Sequence, residues 1–366
     1  MSDWRRELRD LARDVGSSAR RVARAFDRGV ARERHHVVGF PSYATRWRAL
    51  VMCRVLQDEG IAKADPSHHA WQNLVNMVRR LESDPMPGAK VRVRIGENEH
   101  ELIADDEGFV HEWIKLDAPL GEGEWHEAKL ELVGSAAEAP VTGVSRLLIP
   151  SPAAAFGVIS DMDDTVLQSD ATMLLNALRL MLLENARTRL PFPGAAAFYR
   201  ALHDGTGGRP KNPIFYVSSS PWNLHDVITE FLDAHRIPSG PLMLRDWDLG
   251  SVLSGGKHAT HKSQIIREIL DAFPWLKFIL AGDSGQEDPE IYSSIVAEYP
   301  GRIQAVYIRD VSKSAGRSAA IKVLSQQVLV SQSELVLAED TLTLAQHAAS
   351  KGWIDPTRLA DVRAEA

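Results

Sequence analysis

A single cysteine, Cys53, stands in 366 residues. That excludes an internal disulfide framework and any thiolate-rich zinc site, and it fits a reducing compartment. Long apolar runs are missing too: none approaches the ~20 residues of a bilayer-spanning helix, and the first residues lack the short hydrophobic core of a secretory leader. A soluble, cytoplasmic chain is therefore expected. Nor is there excess positive charge, because 42 Lys and Arg against 49 Asp and Glu leave a net −7. Nothing draws the whole chain to nucleic acid, and no basic patch interleaved with aromatics is found in its second half, so no nucleic-acid partner is expected.

What is present is globular: 44% hydrophobic and 25% charged residues can build a sizeable core. The length exceeds what one core usually takes up, so two folded units are expected. Residues 1–34 carry ten arginines and six acids, a local 10 − 6 = +4. Trp4, Leu8, Leu11 and Val15 share one helical face, and Val22, Phe26 and Val30 resume it after a Gly16-Ser17-Ser18 break. Such a basic amphipathic arm either packs on protein or makes peripheral contact with an anionic membrane.

Residues 35–150 change period. "KVRVRIGENEHELIADDEGFVHEWIKL" and "EWHEAKLELV" alternate apolar and polar residues around "GEN" and "DDEG" turns, and a helix is expected over "AWQNLVNMVRRLES". This predicts a small β-sandwich-like accessory domain. Its paired histidines, His35, His36, His68 and His69, lack a clear ligand spacing and read as solvated. Pro150 and Pro152 mark the junction. In 151–366 the apolar strands "FGVIS", "PIFYVS", "GPLML", "KFILAG", "IQAVYI" and "ELVLA" alternate with amphipathic helices. That pattern is an α/β domain with a parallel sheet covered on both faces, which binds ligands at the carboxyl ends of its strands.

The conspicuous polar residues lie at those ends. "FGVISDMDDTVLQS" runs a strand into Asp161, Asp163 and Asp164, whose mutual repulsion calls for a bound divalent cation. The second strand ends in Ser218-Ser219-Ser220-Pro221, Lys262 opens a helix after a Gly-rich loop, and "FILAGDSGQEDPE" brings Asp283 and Asp288.

This order of motifs resembles the haloacid dehalogenase superfamily of phosphotransferases. "VISDMDDTV", "YVSSSPWNL", "GPLMLRDW", "HK" and "GDSGQEDPEIY" resemble the App1-type (actin patch protein) phosphatidate phosphatase catalytic family over roughly Phe156 to Asp310. A phosphomonoester dianion repels nucleophiles, so its hydrolysis needs charge neutralisation and in-line placement. A carboxylate can then attack phosphorus and split the reaction into two steps. Asp161 suits the nucleophile. The resemblance implies Asp163 as acid and base, a Rossmann-like catalytic domain, and Mg²⁺ held by Asp161, Asp283 and the Asp163 carbonyl. Asp288 would support the metal from behind, and Thr165, Ser218, Ser219 and Lys262 would bind phosphate. Lys257 is the competing lysine.

Residues 166–212 exceed a simple crossover and imply a small lid insertion. Its helix, with Met173, Leu174, Leu175, Leu178, Met181 and Leu182, either touches acyl chains or covers the sheet. The expected activity is Mg²⁺-dependent conversion of phosphatidate to diacylglycerol at a membrane surface, with a soluble phosphomonoester or phosphoprotein substrate as the alternative. A non-catalytic scaffold fits less well, since every charged part needed for turnover is present. Arg245, Asp246, Arg309 and Asp310 match the family, yet they read equally well as surface ion pairs.

Overall fold

The structure, a computed structural model, describes residues 34–58, 84–135, 139–162, 192–207, 211–245, 257–312 and 314–366. The expected arm, apart from Arg34, the helix at 70–83, most of the insertion, and Asp163, Thr165 and Asp246 lie outside the described residues. So do His68 and His69.

Nine strands come first: β1 (Arg34–Gly39), β2 (Ser42–Tyr43), β3 (Arg48–Asp58), β4 (Asp84–Pro85), β5 (Lys90–Ile95), β6 (Asn98–Ile103), β7 (Phe109–Lys115), β8 (Trp125–Leu132) and β9 (Thr142–Leu148). Arg34, expected in the arm, is instead a strand residue paired with Asp58. In one sheet β3 pairs antiparallel with β1, β4 and β7; the other has the order β2-β9-β8-β5-β6. The period-2 pattern explains both. On β5, Val91, Val93 and Ile95 are buried, while Arg92 and Arg94 face outward onto Glu99 and Glu131. The turns fall where "GEN" and "DDEG" put them, at Gly96 and Gly108, whose φ of 58° and 74° favour glycine. Val37, Val51, Cys53 and Val55 of the first sheet share one core with Val91, Val93, Ile95, Ala128 and Leu130 of the second. His35 and His36 are successive on a strand, so they point to opposite faces and form no ligand pair.

Six strands follow: β10 (Gly157–Asp161), β11 (Ile214–Pro221), β12 (Leu242–Arg245), β13 (Phe278–Asp283), β14 (Ile303–Arg309) and β15 (Glu334–Ala338). They form a parallel sheet in the order β12-β11-β10-β13-β14-β15. All six correspond to apolar runs in the sequence, and β10 and β13 are buried at every position. The helices are α1 (Ala195–Asp204), α2 (His225–Ala234), α3 (Lys257–Ala272), α4 (Asp288–Glu298), α5 (Ala315–Val330), α6 (Thr341–Ser350) and α7 (Leu359–Ala364). α3, α4 and α5 pack side by side, and α1, α6 and α7 form a second group.

The β-rich and α/β parts meet along an apolar seam that the junction at Pro150 gave no hint of. Phe40, Tyr43, Leu50 and Met52 belong to the same buried cluster as the sheet residues. Tyr43 lies 5.5 Å from Phe215 and 5.7 Å from Phe273, and Phe40 lies 4.8 Å from Trp222, between ring centroids.

Candidate active site

Strand order reverses between β10 and β13, which opens a crevice at their carboxyl ends. Asp161 closes β10, Asp283 closes β13, and Asp288 begins α4. All three are fully buried, and one carboxylate oxygen of each lies within 4.8 Å of the others. Lys262, in the second turn of α3, puts Nζ 2.9 Å from Asp161 Oδ1 and 2.5 Å from Asp288 Oδ1. Burial works against its charge, but the neighbouring carboxylates of Asp161 and Asp288 outweigh burial and hold its pKa well above the usual lysine range. The lysine is thus charged at every ordinary pH.

Three carboxylates against one ammonium leave this cluster two negative charges in excess, 3 − 1. Buried charge of one sign is costly, and an all-oxygen donor set of this size fits a hard divalent cation such as Mg²⁺. Among the described residues no other group of histidines, cysteines and acids is so placed.

Two loops flank Asp161. On one side, residues 284–287 wrap the Asp283 carboxylate: Gly285 N and Gln286 N donate to its Oδ1 at 2.6 and 3.1 Å. Asp283 N donates to Asp288 Oδ2 at 3.2 Å. Gly282 must be glycine, because a Cβ there would lie 2.3 Å from Asp288 Oδ2 and 2.8 Å from the Tyr292 ring. Burial first, then Asp288, Asp161 and Asp283, push the Tyr292 hydroxyl far above its ordinary pKa; it donates to Ala281 O at 3.0 Å. Arg317 spans the loop, donating from Nε to Ser284 O at 2.9 Å and from Nη2 to Gln286 O at 2.5 Å and Glu290 Oε2 at 2.9 Å. That pairing holds the Glu290 carboxyl below the usual range. Asp310 accepts from Ser284 Oγ at 2.9 Å and Ser318 Oγ at 2.7 Å.

On the other side β11 leaves its ladder with β12 after Val217 and rejoins at Pro221, opposite Arg245. Ser218, Ser219 and Ser220 therefore form a bulge in the ladder. The ladder also puts Val217 opposite Asp161, and Met162 N donates to Val217 O at 3.1 Å, which sets the serine loop beside Asp161. Ser218 and Ser220 are buried and Ser219 half-buried, and Ser220 N donates to Ser218 Oγ at 3.0 Å.

The structure thus gathers Asp161, Asp283, Asp288 and Lys262, with Ser218 and Ser219 alongside. It corrects three readings. Arg309 is no surface ion-pair residue: it is buried, lies 4.5 Å over the Phe192 ring and donates to Thr341 Oγ1. Asp310 turns instead to the serines of the loop. Lys262, expected to open its helix, lies in the second turn of α3, which begins at Lys257. Arg317 was missed altogether; nothing in its local pattern distinguishes it from a solvated helix arginine.

The site is thus an acidic, lysine-bridged crevice at the switch point of a parallel α/β sheet. Residues 156–310 match the family described as Phosphatidate phosphatase APP1, catalytic domain. The chain is 32% identical over 162 residues to Phosphatidate phosphatase APP1 of Saccharomyces cerevisiae, covering 43% of this chain and 26% of the relative. An uncharacterized protein of Schizosaccharomyces pombe is 26% identical over 160 residues, 42% of this chain and 25% of the relative. The chain thus spans about a quarter of the length of these curated relatives. Among solved structures, a carbohydrate acetylesterase from Xanthomonas citri superposes with a TM-score of 0.29 at 10% identity, over 82% of this chain and 66% of that one, a likeness too slight to bear on fold or function.

Proposed function

We propose that the chain is a Mg²⁺-dependent phosphatase of the haloacid dehalogenase type that passes a phosphoryl group from phosphatidate to Asp161 and then to water. The observation that carries this reading is the buried Asp161 carboxylate, bridged by Lys262 and set between Asp283 and the Ser218 loop. A carboxylate oxygen in that place is a nucleophile paired with an ammonium and shielded from bulk water. Asp161 attacks phosphorus, and the bond to the glycerol oxygen breaks as Asp163 gives that oxygen a proton. Asp163 then takes a proton from water, the water oxygen attacks phosphorus, and the Asp161–phosphorus bond breaks to release inorganic phosphate. Ser218, the Ser219 amide, Thr165 and Lys262 hold the phosphate oxygens.

Asp161 and Asp283 would hold Mg²⁺ together with the Asp163 carbonyl, with Asp288 behind them. When bound, the ion offsets the charge shared by phosphate and carboxylates. Phosphatidate is favoured by the name of the matching family. No helix among the described residues is long and apolar enough to cross a membrane, so the lipid would be met at a membrane surface, with residues 1–34 and the insertion as the candidate contacts. The test is phosphate release from phosphatidate in mixed micelles against a panel of soluble esters, with chelator and Asp161→Asn as blanks. Release from the lipid that vanishes in both blanks is expected. Turnover on soluble esters alone would replace the lipid with a soluble phosphomonoester, and full activity in chelator would end the metal-dependent reading.

A further inference from the structure

The serine loop has an unusual support. Ser218–Ser220 lie where the register of β11 against β12 shifts, between Val217 and Pro221. The chain then turns through a short 3-10 helix, Trp222–Leu224, into α2. What lies against that turn comes from the β-rich part of the molecule. The Phe40 ring is 4.8 Å from both Trp222 and His225, the Phe109 ring is 6.1 Å from Trp222, and Trp222 stacks on His225 at 6.2 Å. Phe40, Trp222 and His225 are each less than one-tenth exposed.

Phe40 is itself rigidly placed. A Cβ at Gly39 would lie 2.3 Å from Val144 O, so only glycine lets β1 cross β9 this closely. That crossing lets Ser145 Oγ donate to Phe40 O at 2.5 Å, while Phe40 N donates to Met52 O at 2.9 Å. The backbone of Phe40 is pinned on both sides, and its ring is aimed at the residue that follows Pro221.

We propose that Phe40, seconded by Phe109, is a positioning residue for the phosphate-binding loop, so that the β-rich unit is a working part of the catalytic site and the segment 156–310 is incomplete without it. The proposal rests on the phosphatase reading for its functional consequence, but its structural half does not. Ring packing of this kind, tilted and at short centroid distance, is directional enough to fix a neighbour's orientation. The seam's other end supplies an internal control. Tyr43 packs edge-on against Trp113 at 5.4 Å and against Phe215 at 5.5 Å, toward the amino ends of the strands, away from the serine loop.

The experiment compares Phe40→Ala, Phe40→Leu, Phe109→Ala and Trp113→Ala in the full chain. Two readouts are taken: hydrogen exchange of the peptide covering residues 218–224, and KM, kcat and inhibition by inorganic phosphate. In Phe40→Ala, exchange in that peptide should rise by roughly tenfold, and KM and the phosphate inhibition constant should each rise about three- to tenfold. Phe109→Ala should show a smaller version, and Phe40→Leu should restore most of the loss. Trp113→Ala should lower the melting temperature while leaving the 218–224 peptide and both constants within about twofold of wild type. Unchanged exchange at 218–224 in folded Phe40→Ala and Phe109→Ala overturns the proposal, as does an equal effect from Trp113→Ala. A wild-type chain that hydrolyses no phosphomonoester defeats the phosphatase reading alone, because the exchange data still decide whether Phe40 holds the loop.

Discussion

The two loops beside Asp161 are held by opposite physics. Ser218–Ser220 is placed by apolar packing, through Trp222 against Phe40 and Phe109. Residues 284–287 are tied by hydrogen bonds from Arg317, from Ser284 to Asp310, and from their own amides to Asp283. The difference follows from what each loop carries. Asp283 and Asp288 are buried anions, and an anion in a low-dielectric site is tolerable only where donors surround it. Serine hydroxyls are neutral and need no such frame; Ser218 Oγ accepts from Ser220 N at 3.0 Å, and the turn that follows packs on Phe40 and Phe109. Charge demands a polar frame; a neutral donor loop can draw on apolar packing.

The strongest way to break this comparison is to remove what both loops serve. Asp161→Asn should lower phosphate release by roughly 10³-fold or more, and acid-quenched wild-type enzyme should carry phosphate that the variant never acquires. Lys262→Met comes next. It leaves three buried carboxylates without their bridging cation, at a cost of about 3–5 kcal/mol, read as a lower melting temperature along with lost turnover. Lys257→Met should behave as wild type in both assays. If Lys257→Met were the inactive protein instead, the assignment of the lysines in α3 would be reversed.

Much of this frame was legible because it obeys short-range rules. Continuous apolar runs marked all six parallel strands, and the residues just past them, Asp161, Ser218 and Asp283, announced the crevice, since in such sheets function sits where strands end. Alternation and glycine turns marked β5 to β8. What stayed hidden is long-range. Arg317 lies on a helix surface in sequence terms, and only the fold brings it under carbonyls 33 and 31 residues away. Arg309 and Asp310 read equally well as a family match or a surface ion pair, but adjacent residues at the end of a strand point apart, one into Phe192 and Thr341 and the other into the serines. The Phe40–Trp222 contact joins residues far apart in the sequence, and neither local pattern encodes it.

Arg317→Ala sharpens the comparison from the polar side. With two loop carbonyls and Glu290 released, the Asp283 carboxylate loses its fixed aim. The Mg²⁺ concentration for half-maximal activity should rise about tenfold while turnover at saturating Mg²⁺ stays close to wild type. Mn²⁺ binding followed by electron paramagnetic resonance should weaken in parallel. This is the reverse of the Phe40→Ala pattern, which moves the phosphate constants and spares the metal. A variant that moved both sets equally would show that the loops are one mechanical unit.

Glu290→Gln is the mildest and most selective change. Its carboxylate is 46% exposed, so its pair with Arg317 is worth only about 0–1 kcal/mol, and the amide that replaces it still offers Arg317 an acceptor oxygen. The backbone bonds from Arg317 to Ser284 and Gln286 remain. If those bonds do the holding, Mg²⁺ half-saturation should shift by no more than about twofold. Raising the salt from about 0.05 to 0.5 M should screen the pair in wild type and erase the difference between the two proteins. A loss as large as that of Arg317→Ala would mean instead that Glu290 orients the guanidinium, and that the polar loop depends on an exposed ion pair for its geometry.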